Sequence, residues 1–272
     1  MSATLSHQVR SLWLLARAGF RRHSTYRLAL AAGLTTNAVF GLLRGSILGA
    51  VVASAGGTLG GYDAGQVTAY VWWGQALLGA IGLAGWSELR DRVRSGDVAI
   101  DFLRPLSVPL GYLAGDLGRA AVNLLGRGLP MIVLAVLVFR MPLPTDPVTW
   151  LLGFVAILVG VVVAFLGTYL LNATCFWVVE SRGLQVCYLV ASGFLSGLYL
   201  PVHWFPEWLL LLARCTPFPS TLQAPLDVLS GRVSGAAAVT TVVIQLSWAT
   251  TLFVAAQVVT ALGRRHLEVQ GG

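Results

Sequence analysis

The sequence predicts an all-α integral membrane protein, and three observations carry that prediction. Of its 272 residues, 56% are hydrophobic and only 11% are charged, against about 25% charged in soluble domains. Apolar runs long enough to cross a hydrocarbon core of ~30 Å recur along the chain. The basic residues, all arginine with no lysine, cluster beside those runs, where they set membrane orientation. A single membrane domain, residues 1–272, is the economical reading.

Residues 1–24 place Leu5, Val9, Leu12, Trp13, Ala16 and Phe20 at helical spacing, with Arg10, Arg17 and Arg21 on the other side. A basic amphipathic helix of this kind lies in the headgroup plane. The plainer alternative is a helix packed on the protein's own surface. Those arginines and Arg22 leave no clean apolar stretch for a cleavable leader.

The first span is predicted over Tyr26–Ala53 and contains Arg44, which must face protein or snorkel. Gly56, Gly57, Gly60 and Gly61 then read as a flexible loop, and Val67–Trp86 as an uncharged second span. The third, Leu110–Phe139, carries Asp116, Arg119 and Arg127 in its first half and Pro130 as a candidate kink. Asp116 and Arg119, at i and i+3, share a helix face and can pair. The turn "MPLPTDP" precedes a fourth span in Val148–Val179, "ESRG" precedes a fifth at Leu184–Leu200, and the last is Ala236–Leu262. About six spans result.

Residues 201–232 behave differently, because Pro201, Pro206, Pro217, Pro219 and Pro225 break them. Their best apolar piece, Trp208–Ala213, is too short to cross, so re-entrant or interfacial helices are predicted. With the N-terminus inside, the cytoplasm receives Arg10, Arg17, Arg21, Arg22, Arg27, Arg90, Arg92, Arg94, Arg104, Arg182, Arg264 and Arg265. The outside receives chiefly Arg140, Arg214 and Arg232, so both termini are predicted to be cytoplasmic. The all-arginine usage fits a GC-rich genome and a bacterial cell membrane.

Several chemistries find no support. A formal charge of +7 could point to nucleic acid, but no arginine-rich folded region stands apart from the spans. A phosphate-binding loop needs a lysine the chain lacks. His7, His23, His203 and His266 are isolated, and Cys175, Cys187 and Cys215 have no metal-ligand spacing, so neither a metal site nor a catalytic residue is predicted. His203 reads as an interfacial residue beside Trp204 and Phe205. An ion-coupled carrier should place acids at mid-membrane, and the second, fourth, fifth and sixth runs have none. A lipid-modifying enzyme using groups near Asp97, Asp101 or Arg119 stays open, as does a secondary carrier.

Residues 94–106, "RSGDVAIDFLRPL", form the most informative stretch. Ser95 reads as an N-cap, with Asp97 in the first turn where negative charge suits the helix dipole. Ala99, Phe102, Leu103 and Leu106 follow an i, i+3, i+4, i+7 pattern, and Pro105 ends the helix near Arg104. The product is a short amphipathic helix on the cytosolic side, either packed on the membrane surface or presented to a partner.

With its N-terminal amphipathic helix, about six spans, "RSGDVAIDFLRPLSVPLGYL" after the second, and broken helices before the last, the chain resembles permease subunits of the type-2 ABC transporter family. The resemblance covers nearly the whole chain and is most specific at "SGDVAIDFLRPL", similar to the family's "G…L.RPL" segment. It implies an ATP-driven exporter that pairs with a second permease copy or paralogue and with nucleotide-binding subunits. ATP and Mg would bind in those subunits, and no cofactor in this chain. By the resemblance, Gly96–Leu106 is the coupling helix, with Phe102 and Leu103 as apolar anchors, Asp97, Asp101 and Arg104 as polar contacts, and Pro105 closing it. Arg10, Trp13, Arg17, Phe20 and Arg21 would hold the N-terminal helix at the lipid interface, near the ATPase. The broken helices, with His203, Trp204, Phe205 and Trp208, would cap the outer end of the pathway.

Overall fold

A computed structural model describes residues 2–83, 87–178 and 181–270. Trp86, Val179 and Glu180, named above as span or turn residues, lie outside them. In chain order the helices are α1 Ser2–Ser24, α2 Arg27–Ser54, α3 Ala64–Ile81, α4 Glu88–Ser95, α5 Val98–Phe102, α6 Val108–Asn123, α7 Leu129–Phe139, α8 Pro147–Ala173, α9 Arg182–Leu195, α10 Glu207–Arg214, α11 Gln223–Leu229 and α12 Gly235–Gln270. Among the described residues the only strands are β1 Thr58–Leu59 and β2 Tyr62–Asp63, paired antiparallel. The stretch expected to be a flexible glycine loop is thus partly a hairpin. Gly60 and Gly61 both adopt positive φ (57° and 81°), as a tight two-residue turn requires.

Four helical stretches among the described residues are long and apolar enough to cross a membrane: Leu28–Ser54, Val108–Phe139, Pro147–Phe176 and Gly235–His266. The other two expected spans are shorter. Helix α3 has 18 residues, about 27 Å, and Gly82 in the left-handed conformation stops it (φ 59°). Helix α9 has 14 residues, about 21 Å, and gives way at Ser196 to a turn through Gly197 (φ 83°) rather than running to Leu200. Asp63 caps α3 through a reciprocal capping box with Gln66, and Asp146 caps α8 through Thr149 N–H at 2.8 Å.

Helix α3 is the centre of the core. Tyr70, Val71, Trp72, Trp73, Leu77 and Ile81 are all at most 3% exposed, and they pack among α2, α7, α8 and α11. Beyond its first residue the helix is buried or half-buried throughout, so it meets protein rather than open surface. Arg44 on α2 also faces protein. Its Nη2 donates to the Tyr199 carbonyl at 3.3 Å, and Nη1 reaches the Gln75 amide at 3.0 Å when that oxygen faces it. The third span is continuous but underwound in the middle. A π-helical segment at Leu124–Gly128 precedes Pro130, with Leu129 N–H bonding to the Leu124 carbonyl. Pro130 offers no N–H, and the wide turn turns Arg127 toward α2, where Nη2 donates to the Ala29 carbonyl at 2.7 Å.

The bundle has two unlike ends. At one, α1, α4, α5, the start of α6 and the end of α12 gather most of the arginines; we call it the basic end. At the other lie the hairpin, the α7–α8 turn and residues 201–232; we call it the hairpin end. The segment 218–229 folds back along α8 into the bundle, and by that course is called the re-entrant segment below. A Cβ on Gly160, midway along α8, would lie 2.4 Å from the Thr221 carbonyl. That backbone would be costly in lipid without partners. Gln245 of α12, fully buried, supplies them by donating to the Ser220 (2.8 Å) and Ala156 (3.1 Å) carbonyls.

Helix α1 lies across α6 backbone to backbone. A Cβ on Gly118 would sit 2.1 Å from the Ala16 carbonyl, and one on Gly19 equally close to the Gly115 carbonyl. Neither position has room for a side chain, so Gly118→Leu should detach α1 while the rest of the bundle still folds. The expected cost is about 1–3 kcal/mol, read as a lower thermal midpoint together with faster proteolysis within residues 2–24. An unchanged cleavage rate would contradict this packing.

Candidate functional site

At the basic end, residues 88–106 form a braced connection between α3 and α6. Gly96, left-handed at φ 82°, ends α4, so Ser95 closes one helix and does not cap the next. Its hydroxyl instead donates to the Asp97 carboxylate at 2.8 Å. The second helix is the five-residue α5, Val98–Phe102, within the expected 94–106.

Asp101 organises this connection. It is 5% exposed and accepts from Arg92 Nε (2.8 Å) and Nη2 (3.2 Å) and from the Tyr112 hydroxyl (2.7 Å). Arg92 Nη2 also donates to the Asp97 carbonyl at 3.0 Å. Burial pulls the Arg92 guanidinium down, but its bonds to Asp101 outweigh this and raise its pKa. Asp101 therefore faces inward as a brace, a correction to its expected place among outward polar contacts. Phe102 is likewise turned in. Its ring stacks on Phe176 at 6.3 Å and lies under the Arg264 guanidinium at 5.8 Å. The exposed apolar surface is Leu103, 83% exposed, with Ile100, 54% exposed. Gly96, Asp97, Arg104 and Pro105 are exposed around them.

Helix α1 serves two neighbours at once. Leu12, Leu15, Ala16 and Gly19 are half-buried on the side that meets α6. Trp13 (67%) and Phe20 (38%) stay exposed, with Arg10, Arg17 and Arg21 exposed nearby. The helix is therefore packed on the protein's own surface along one strip and exposed along the other.

Deeper at the same end, Arg119 pairs with Asp116, as their spacing predicted. Nε and Nη2 reach the carboxylate at 2.5 and 3.0 Å. Arg119 also donates to the Gly79 (2.7 Å) and Ala80 (3.0 Å) carbonyls, satisfying the last turn of α3.

The hairpin end holds a buried polar cluster. Asp227 of α11, 5% exposed, accepts from the Tyr62 hydroxyl, from Gln223 Nε2 (2.8 Å), from His203 Nε2 (3.0 Å) and from Arg232 Nη1 (3.5 Å). Gln223 Oε1 accepts from the Tyr70 hydroxyl and the Val202 N–H, both at 2.9 Å, and Tyr70 also donates to the Gly197 carbonyl at 2.5 Å. Burial first, then the Asp227 carboxylate, push the Tyr62 phenol far above its ordinary value. Arg232 covers the Tyr62 ring at 5.1 Å.

The aromatic residues expected at this end divide by role. His203 joins the cluster, Trp204 donates to the Leu59 carbonyl at 3.0 Å, and Phe205 is buried beside Val202 and Ala213. Trp208 is 69% exposed. Tyr62, Tyr70, Gln223, Asp227 and Gln245 were missed in the sequence reading. The available signal was a polar residue stranded in an apolar stretch, as Gln245 and Asp227 are.

The chain therefore combines membrane-crossing helices, an amphipathic helix before the first, a braced connection after α3 and a re-entrant segment before the last. In comparison with known families, a family model described as ABC-2 family transporter protein matches residues 40–271. No curated protein and no solved structure is matched. With nearly all of its length beyond the N-terminal helix covered, the chain belongs to the ABC-2 family of transporter proteins, as a multi-pass membrane permease.

Proposed function

We propose that this permease is the membrane half of an ATP-driven exporter, forming part of the pathway with a second permease copy or paralogue. A separate nucleotide-binding subunit, holding ATP and Mg, supplies the energy. The basic end faces the cytoplasm of a bacterial cell, with both termini there, because arginines concentrate at that end. The observation that carries the reading is the exposed pair Ile100 and Leu103 on the braced connection. Apolar side chains this exposed on a rigid, charged surface are what a partner groove takes up. Gly96, Asp97, Arg104 and Pro105 form the polar rim, while Asp101 and Phe102 hold the connection in shape and pass its displacement to α6, α8 and α12. Residues 201–232, with His203, Trp204, Phe205 and Trp208, close the outer end of the pathway.

The test is co-purification with the cognate nucleotide-binding subunit after co-expression. Ile100→Asp with Leu103→Asp should lower recovery of that subunit by about tenfold or more, with the permease's own thermal midpoint unchanged. Full recovery, with permease-stimulated ATP hydrolysis intact, would overturn the coupling role.

A further inference from the structure

At the basic end a cavity of about 680 Å³ opens between the last turns of α1, the start of α4, α6 and α8. That size suits a small ligand or a headgroup. Arg22, Arg92 and Arg119 line it, and so do Glu88, Asp91 and Asp116. Three cationic and three anionic side chains give the cavity both signs of charge with no formal excess. A simple anion meets as many acids as arginines here, whereas a phosphate ester carrying an ammonium finds a partner for each end.

The rim is the part able to yield. Arg22 and Glu88 stand 3.6 Å apart with side chains 69% and 43% exposed, a loose pair that is easily parted. Beside them His23 donates through Nδ1 to the Gly19 carbonyl at 2.9 Å. The wall also has apolar ground at Leu15, Ala18 and Phe165. The same helix α1 exposes Val9, Trp13 and Leu14, so apolar surface of the kind that enters a headgroup layer lies next to the opening.

We propose that this cavity takes the headgroup of a zwitterionic phospholipid from the leaflet on which α1 lies, its phosphate toward Arg22 and its ammonium toward Glu88 and Asp91. The site rests on the membrane placement of the chain and not on the transport reading. Each can fail without the other.

Gly115 supplies a clean test. It lines the cavity, and a Cβ built on it meets nothing within 4 Å. Gly115→Leu therefore starts into open space, occupies the cavity and raises helix propensity. The full chain, purified in detergent, is titrated with dihexanoyl-phosphatidylethanolamine while its thermal midpoint is followed. A rise of about 5 °C is expected when lipid stands a hundredfold above Kd. Dihexanoyl-phosphatidylglycerol and free phosphoethanolamine should give less than about a third of it. Gly115→Leu should lose the rise with no fall in its lipid-free midpoint, and Glu88→Gln should lose it independently if the leucine variant folds poorly. Absence of a shift, an equal shift with the phosphatidylglycerol or with phosphoethanolamine, or a full shift in Glu88→Gln would each overturn the proposal.

Discussion

Replacing Asp227 by alanine should lower unfolding stability by about 3–5 kcal/mol, among the largest effects of any single change in this protein. Four donors converge on that carboxylate, from Tyr62, Gln223, His203 and Arg232. Alanine leaves Tyr62 and Gln223 buried without that acceptor, and the part-buried guanidinium of Arg232 loses its counter-charge. The damage should be local in its first stage. Asp227 ties α11 to the hairpin through Tyr62 and to the 202–204 turn through His203, so the re-entrant segment should loosen before the long helices part. Asp227→Asn keeps the volume and an acceptor oxygen and should lose less. Thermal unfolding in detergent orders the two variants. An alanine variant as stable as wild type would show that the cluster contributes little.

Arg119→Leu should cost a similar amount, about 3–5 kcal/mol, by a different route. The substitution strips the charge partner from Asp116, which is 6% exposed, and leaves the Gly79 and Ala80 carbonyls without their donor. It therefore harms both α6 and the end of α3. The double variant Asp116→Leu/Arg119→Leu should recover part of the loss, because no uncompensated charge then stays buried. Thermal midpoints of the two single variants and the double variant form the cycle that measures this. A double variant no more stable than Arg119→Leu alone would assign the loss to the α3 carbonyls.

What was legible in the sequence depended on whether one segment was enough to determine it. The long apolar runs, the Asp116–Arg119 pair and the re-entrant character of the proline-broken stretch all follow from local composition and spacing. The capping box of Asp63 and Gln66 was there to be read as well. Helix ends were harder. Nothing between Gly96 and Arg104 announces that Gly96 ends one helix before a second begins, since Ser95 is equally good as a cap. The inward turn of Asp101 depends on Tyr112 and Arg92, and that of Phe102 on Phe176 and Arg264, contacts that only the folded bundle brings together. Helix α3 depends on the same long-range contacts: its polar Gln75 is 1% exposed because other helices surround it. The hairpin-end cluster draws on residues from Tyr62 to Arg232, and beyond the stranded acid at Asp227 no local pattern links them.

The single amide of Gln245 has a mechanical consequence. Because it holds the Ser220 and Ala156 carbonyls at once, and the Thr221 backbone is wedged against Gly160, the re-entrant segment, α8 and α12 share one set of degrees of freedom. The segment cannot swing alone like a hinged flap without stripping the Ser220 carbonyl of its buried donor. Any opening of the hairpin end must therefore come from displacement of that three-part block as a whole, with the slip plane falling elsewhere in the bundle.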